Sequence, residues 1–145
     1  METVRDILRH KGRSVHTIGP ETTVRDALLA MADNNIGALL VVDENGHPIG
    51  MFSERDYARR MIDGNTRPSE TTVGEIMTST VTAVSESRTV HECMALMTKR
   101  RIRHLPVIEN DEIVGVVSIG DVVNAVIHEQ AFMIEQLEHY ITGSL

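Results

Sequence analysis

The chain of 145 residues has one cysteine, Cys93, no tryptophan, and only four aromatic residues: Phe52, Tyr57, Phe132 and Tyr140. One thiol excludes an internal disulfide and a thiolate metal site, and it fits a reducing compartment. So few aromatics leave no stacking platform for single-stranded nucleic acid. A planar ligand would have to lie against aliphatic side chains and backbone. No apolar run approaches the roughly 18 residues of a spanning helix, and METVRDILRHKG lacks the order of a signal peptide. A soluble, cytoplasmic protein with no membrane role is predicted. Positive charge is also scarce, with 14 Lys plus Arg against 21 Asp plus Glu and a net charge of −7. That balance favours solubility and argues against nucleic acid as a partner.

What the chain does have is a repeat. TVRDALLAMADNNIGALLVVDENGHPIGMFSERDYARRMI, residues 23–62, aligns with TVHECMALMTKRRIRHLPVIENDEIVGVVSIGDVVNAVI, residues 89–127, with one residue dropped near the Asn-Gly turn. Upstream, VRDIL at 4–8 echoes VGEIM at 73–77. Polar DGNTRPSETT, residues 63–72, separates the copies as a surface linker. The periodicity changes in the same order in each copy. Alternating VHTI (15–18) and VTAV (81–84) predict short strands. Val24, Ala27, Leu28 and Met31, matched by Val90, Cys93, Met94 and Met97, recur at helical spacing. Apolar runs at 38–42 and 105–108 precede others at 49–52 and 113–117, with the turns DENGHP and ENDE between them, which predicts a hairpin in each copy. A helix then starts at SERD or SIGD. The fold class is α/β (α+β): β-α-β-β-α twice, a helix before each unit, and a final helix over about 127–142. Residues 1–62 form the first repeat with its leading helix, 73–128 the second, and 129–145 a helical extension.

GMFSERD at 50–56 and GVVSIGD at 115–121 are the most similar stretches of the copies. A Ser three residues before an acidic residue at a helix start is first of all a capping box. Thr3/Asp6, Thr23/Asp26, Thr72/Glu75 and Thr89/Glu92 have the same spacing. Two features set Ser53/Asp56 and Ser118/Asp121 apart: each follows an apolar strand through a glycine, and each therefore puts a helix N-terminus at a strand end. Such a terminus is an anion site, while the carboxylate suits hydroxyl donors such as a ribose diol. Phosphate and ribose together describe a nucleotide, with Arg55, Arg103 and His104 as candidate phosphate partners.

The repeated frame, the segments IGALLVVD and IRHLPVIE before it, and the tandem pattern together resemble a pair of CBS domains, the Bateman module, over about residues 4–128. The resemblance implies two repeats packed as a pseudo-twofold pair, with adenine-containing ligands such as AMP, ADP, ATP or NAD in two clefts. Asp121 and Asp56 would hold ribose hydroxyls, with Ser118, Ile119 and Gly120, and Ser53 and Glu54, in the adjoining helix starts. For the Asp121 cleft it implies Lys11, Gly12, Val15, Ile36, Gly37 and Ala38, with Arg103 and His104 facing phosphate. For the Asp56 cleft it implies Met77, Thr78, Val81, Ile102 and Arg103, with Arg55 on the phosphate. The copies differ at Glu54-Arg55 against Ile119-Gly120 and at Gly37-Ala38 against Arg103-His104, so the clefts are expected to differ in preference.

Other chemistries fit less well. KRRIRH, residues 99–104, reads as a solvated helix end at Lys99 and Arg100 followed by the cleft pair. The seven histidines contain no His-x-x-x-His pair. Ser118, His104 and Asp121 make a triad by composition alone, because capping already explains the Asp. The expected protein is a non-catalytic sensor of an adenosine nucleotide that acts on an unknown partner and assembles as a homodimer through 121–142. The competing expectation is an assembly module without a small ligand.

Overall fold

The structure is a computed structural model that describes residues 2–143. In chain order it contains α1 (Val4–Lys11), β1 (Thr17–Ile18), α2 (Val24–Asn34), β2 (Ala38–Val42), β3 (Pro48–Ser53), α3 (Glu54–Met61), α4 (Val73–Ile76), α5 (Val90–Arg100), β4 (His104–Glu109), β5 (Glu112–Ser118) and α6 (Ile119–Thr142). The repeat is therefore carried into structure, with two departures. The expected strand at 81–84 is reduced to a single parallel bridge, Val84 to Val107. In the first copy β1 pairs in parallel with β2, and the Leu40 N–H donates to the His16 carbonyl at 3.3 Å. The aligned position in β4 is Pro106, which has no N–H to donate, so the ladder stops there. The second departure is at the C-terminus. The last helix of the repeat and the final helix are one element, α6, of 24 residues. Its counterpart α3 stops after eight, with Gly64 at φ 71° just beyond, whereas α6, after Gly120 in its first turn, meets no glycine or proline until Gly143, at φ 70°.

Packing divides the chain into two units that do not follow the repeat boundaries. One unit comprises the residues up to Ser14, Ala83–Asn110 and Val114 onward. Its core joins Val4, Ile7 and Leu8 of α1 to Cys93 and Met97 of α5, Leu105 and Val107 of β4, Val117 of β5, and Val122 and Ala125 of α6. The helix that leads the first repeat in sequence thus packs with the second. The other unit comprises Val15–Thr82 with Asp111–Ile113. There Val73 of α4, which leads the second repeat, is buried with Val24, Ala27, Met31, Leu39, Val41 and Phe52 of the first. The exchange is reciprocal.

Each exchange is held by the same local device. The N-cap Thr3 of α1 bridges Thr89, the N-cap of α5, with Val4 N–H on Arg88 O at 2.8 Å and Val90 N–H on Glu2 O at 3.0 Å. Thr72 of α4 bridges Thr23 of α2 in the other unit, with Val73 N–H on Thr22 O and Val24 N–H on Thr71 O, both at 2.8 Å. All six Ser or Thr capping positions read from the sequence are N-caps. In five the acidic side chain completes the box, and Thr23 is the exception.

The repeated glycine has a packing cause. A Cβ on Gly115 would stand 2.6 Å from Leu8 of α1. On Gly50 it would stand 2.5 Å from Met77 Sδ and 2.9 Å from the Thr78 carbonyl oxygen, where Thr78 and Met51 exchange backbone hydrogen bonds of 2.9 Å. A methyl group at either position displaces the exchanged segment. Leu8 can answer by turning a side chain, whereas at Gly50 backbone must move. We therefore expect Gly50→Ala to destabilise its unit by about 1–3 kcal/mol, and Gly115→Ala by less. Urea unfolding curves of the two variants check the order, and equal midpoints with wild type would contradict it.

Candidate functional site

Two strand-to-helix junctions carry the candidate carboxylates. At the end of β3, Ser53 is extended, with φ −124° and ψ 162°, and Ser118 at the end of β5 is similar at −99° and 166°. Ser53 Oγ accepts from the Asp56 N–H at 3.2 Å, and Ser118 Oγ accepts from the Asp121 N–H at 3.2 Å. In return Asp56 Oδ2 accepts from the Ser53 N–H at 2.9 Å, and Asp121 Oδ2 from the Ser118 N–H at 2.8 Å. The first helical amide of each junction is also used. Glu54 N–H donates to Gly37 O at 3.1 Å and Ile119 N–H to Arg103 O at 2.8 Å. Of the first three amides in each helix, those of Arg55 and Gly120 make no hydrogen bond outside the helix among the described residues.

The segments exchanged between the repeats supply the next partners. Gly12, at φ 99°, caps α1, and its N–H donates to Leu8 O at 2.8 Å. Just before it, Lys11 Nζ donates to Asp121 Oδ2 at 2.7 Å and to the Val116 carbonyl at 2.9 Å. In the other unit Thr78 Oγ1 donates to Asp56 Oδ1 at 3.2 Å. Among the described residues Asp56 enters no ion pair. Asp121 therefore sits against a cation and Asp56 against a hydroxyl. Partial burial pushes the Asp121 carboxyl up, but the Lys11 hydrogen bond and charge, with the Ser118 amide, outweigh it and hold the group below the ordinary carboxylate value.

The sequence-derived residues divide between the units. Lys11, Gly12, Ile102, Arg103, His104, Ser118, Ile119, Gly120 and Asp121 lie in one. Val15, Ile36, Gly37, Ala38, Ser53, Glu54, Arg55, Asp56, Met77, Thr78 and Val81 lie in the other. Lys11 is brought onto Asp121 as a direct partner, as is Thr78 onto Asp56. Arg103 meets the Asp121 junction through its carbonyl, as Gly37 meets the Asp56 junction. The side chains of Arg55 and Arg103 are exposed and enter no ion pair among the described residues. Val15, Ile36, Gly37 and Ala38 share the unit of Asp56, and Ile102 shares that of Asp121.

Sequence reasoning did not anticipate a groove of about 460 Å³ between α1 and α6, lined by Ile7, His10, Lys11, Asp121, Asn124 and His128 among others. Only the exchange of α1 brings these residues together, and no spacing in the chain signals it. No group of three or more His, Cys, Asp or Glu side chains among the described residues is placed to hold a metal ion. Cys93 is buried, and that burial pushes its thiol up, which suits packing rather than nucleophilic use. No described helix is long and apolar enough to cross a membrane.

Comparison with known proteins agrees with this fold. The chain is 40% identical to the mitochondrial CBS domain-containing protein CBSX3 of Arabidopsis thaliana, over 97% of this chain and 72% of that one. A putative signal-transduction protein with CBS domains from Burkholderia ambifaria superposes with a TM-score of 0.83 at 45% identity, over 88% of this chain and 96% of that one. The CBS domain pair of protein MJ0100, solved in complex with 5′-methylthioadenosine and S-adenosyl-L-methionine, superposes with a TM-score of 0.75 at 26% identity, over 86% and 98% of the chains. The CBS domain model matches residues 4–63 and 73–128, which together span most of the sequence, and the chain belongs to the CBS-domain family as a tandem pair.

Proposed function

We propose that this chain is a non-catalytic, cytoplasmic regulatory module that binds an adenosine-containing ligand through Asp121 and Asp56. AMP, ADP, ATP and NAD are the candidates, and the signal is read by a partner protein acting in trans. In this reading 1–62 and 73–128 are the repeats, 63–72 the linker, and 129–145 an extension used in assembly. The observation that carries it is the pair of carboxylates at matching strand ends. Each is fixed by its own cap and approached by a side chain from the exchanged leading segment. A carboxylate held this way accepts hydrogen bonds from a ribose diol through its remaining lone pairs, and charge-assisted bonds of this kind are about twice as strong as neutral ones. Support also comes from the adenosyl ligands in the MJ0100 pair.

The competing reading is an assembly module in which Ser-x-x-Asp is only a cap. It is favoured by the way each cap already occupies Oδ2 of its Asp. The two separate in a thermal-shift panel of AMP, ADP, ATP, NAD, NADH, 5′-methylthioadenosine and S-adenosylmethionine. A ligand at about 100 times its Kd adds roughly 2.7 kcal/mol of stability. Asp121→Ala or Asp56→Ala should each cost about 1 kcal/mol as a lost cap, and at least one of them should abolish the response. A panel with no shift, and no nucleotide released on denaturing the purified protein, leaves the assembly reading alone.

The support for a homodimer is α6. Ile127, Ile134 and Ile141 recur every seven residues with Gln130 and Leu137 between them, the spacing of a helix seam. Phe132, Met133 and Tyr140 flank that row, and all seven large apolar side chains beyond Val126 are 56–81% exposed. At roughly 200 Å² per large side chain they present on the order of 800 Å². That exceeds the few hundred Å² usual for a monomer's largest patch and matches about 800 Å² per partner in a stable complex. A second copy presents the same stripe, and the two cover each other. Ile134→Glu combined with Leu137→Glu should give a monomer by analytical ultracentrifugation with its circular dichroism retained. Sedimentation of the wild-type chain as a monomer at high concentration would end this reading.

A further inference from the structure

The two carboxylates differ in what a ligand must displace. At Asp121 the occupant is the Lys11 ammonium, 2.7 Å from Oδ2, with both side chains partly buried at 37% and 23% exposure. Its second bond, to the Val116 carbonyl at 2.9 Å, holds the ammonium beside the junction. At Asp56 the occupant is the neutral Thr78 hydroxyl, and Met77 just before it, the counterpart of Leu8, packs against the core of its unit, so the leading segment brings no cation to this carboxylate. A ribose diol arriving at Asp56 replaces one hydroxyl by two. A diol that bridges both oxygens of Asp121 meets Oδ1 directly but takes the Oδ2 lone pair from the ammonium and leaves that cation with a single carbonyl partner. Giving up this ion pair weakens the complex unless the ligand brings an anion of its own.

A nucleoside 5′-phosphate brings that anion about one ribose ring away from the diol, within reach of the flexible four-carbon stem of lysine. On the reading that Asp121 binds the ribose of an adenosine ligand, we infer that Lys11 is a specificity residue. It makes the Asp121 site select adenosine ligands that carry a phosphate over uncharged ones such as a 5′-thioether. Lys11 moves from carboxylate to phosphate as the diol takes its place, so the ion pair of the empty site becomes the phosphate contact of the filled one. Lys11 has no counterpart at Asp56, so discrimination at that site is independent of it.

Isothermal titration of AMP and 5′-methylthioadenosine into Asp56→Ala protein isolates the Asp121 site. AMP is expected to bind about fivefold to tenfold tighter than the thioether, the range of one partly exposed cation–phosphate contact. Adding Lys11→Met should bring the two affinities within about twofold, whereas Lys11→Arg, which keeps the cation, should retain the preference. The inference is overturned if the AMP preference survives Lys11→Met. It is overturned equally if the Asp56→Ala protein shows no preference, or binds neither ligand while the wild-type chain binds one of them. Those outcomes leave an adenosine-binding function standing. If neither the wild-type chain nor the variants bind any adenosine compound, the functional reading falls with it.

Discussion

The approach of a leading segment to a glycine in a following strand governs both halves of this molecule. Leu8 lies over Gly115, and Met77 with Thr78 lies over Gly50, so close that a single added methyl group would meet atoms at 2.6 Å or less. That contact decides which helix completes which core, since Val4, Ile7 and Leu8 fill a unit built from the second repeat and Val73 fills the first. It also decides which side chains reach the carboxylates. Three residues beyond Leu8 stands Lys11 on Asp121, and one residue beyond Met77 stands Thr78 on Asp56. Glycine, exchanged helix and site partner form one chain of causes in each unit.

The capping box leaves one oxygen of each Asp outside the cap. Capping uses the Ser N–H, the Ser Oγ and one carboxylate oxygen, and it holds the Asp side chain in one rotamer against the helix start. A carboxylate fixed in this way has already lost its conformational freedom on folding, so little more is lost when a diol binds. The three other boxes, Thr3/Asp6, Thr72/Glu75 and Thr89/Glu92, stand where the leading and central helices begin and do not directly follow a strand. Their carboxylates face Thr side chains and, at Glu92, the neighbouring Arg88 at 2.7 Å. Location in the fold, rather than the Ser-x-x-Asp spacing, separates a site carboxylate from a cap.

Much of this was legible in the sequence because it follows from local patterning. The helix starts at Thr3, Thr23, Ser53, Thr72, Thr89 and Ser118, the core stripes through Ala27 and Cys93, and both hairpins follow from spacing and turn residues. What was not legible depends on contacts distant in the chain. Nothing in VRDIL says that its apolar face is completed by Val84 and Leu105 rather than by the repeat it leads. The strand expected at 81–84 failed for a reason visible in one letter, Pro106, but that letter matters only once β4 is known to be the neighbour. Lys11 was expected near Asp121 from the family resemblance, and its 2.7 Å ion pair needed the exchanged α1.

Duplication gives a chain two equal sites and leaves each free to change. Here the changes fall on charge around the carboxylates: Lys11 against Thr78 as the partner from the leading segment, Arg103 against Gly37, Arg55 against Gly120. None of these substitutions falls on the Gly, Ser or Asp of the repeated frame, which both copies keep. Backbone geometry and partner chemistry are therefore under separate control. The strand-to-helix junction fixes where the carboxylate stands, and the residue delivered by the exchanged segment fixes what charge surrounds it. A partly buried carboxylate with an ammonium against it and one with only a hydroxyl against it respond differently to the same nucleoside. On the proposed function, two sites built on one scaffold report on two different ligands without any change in fold.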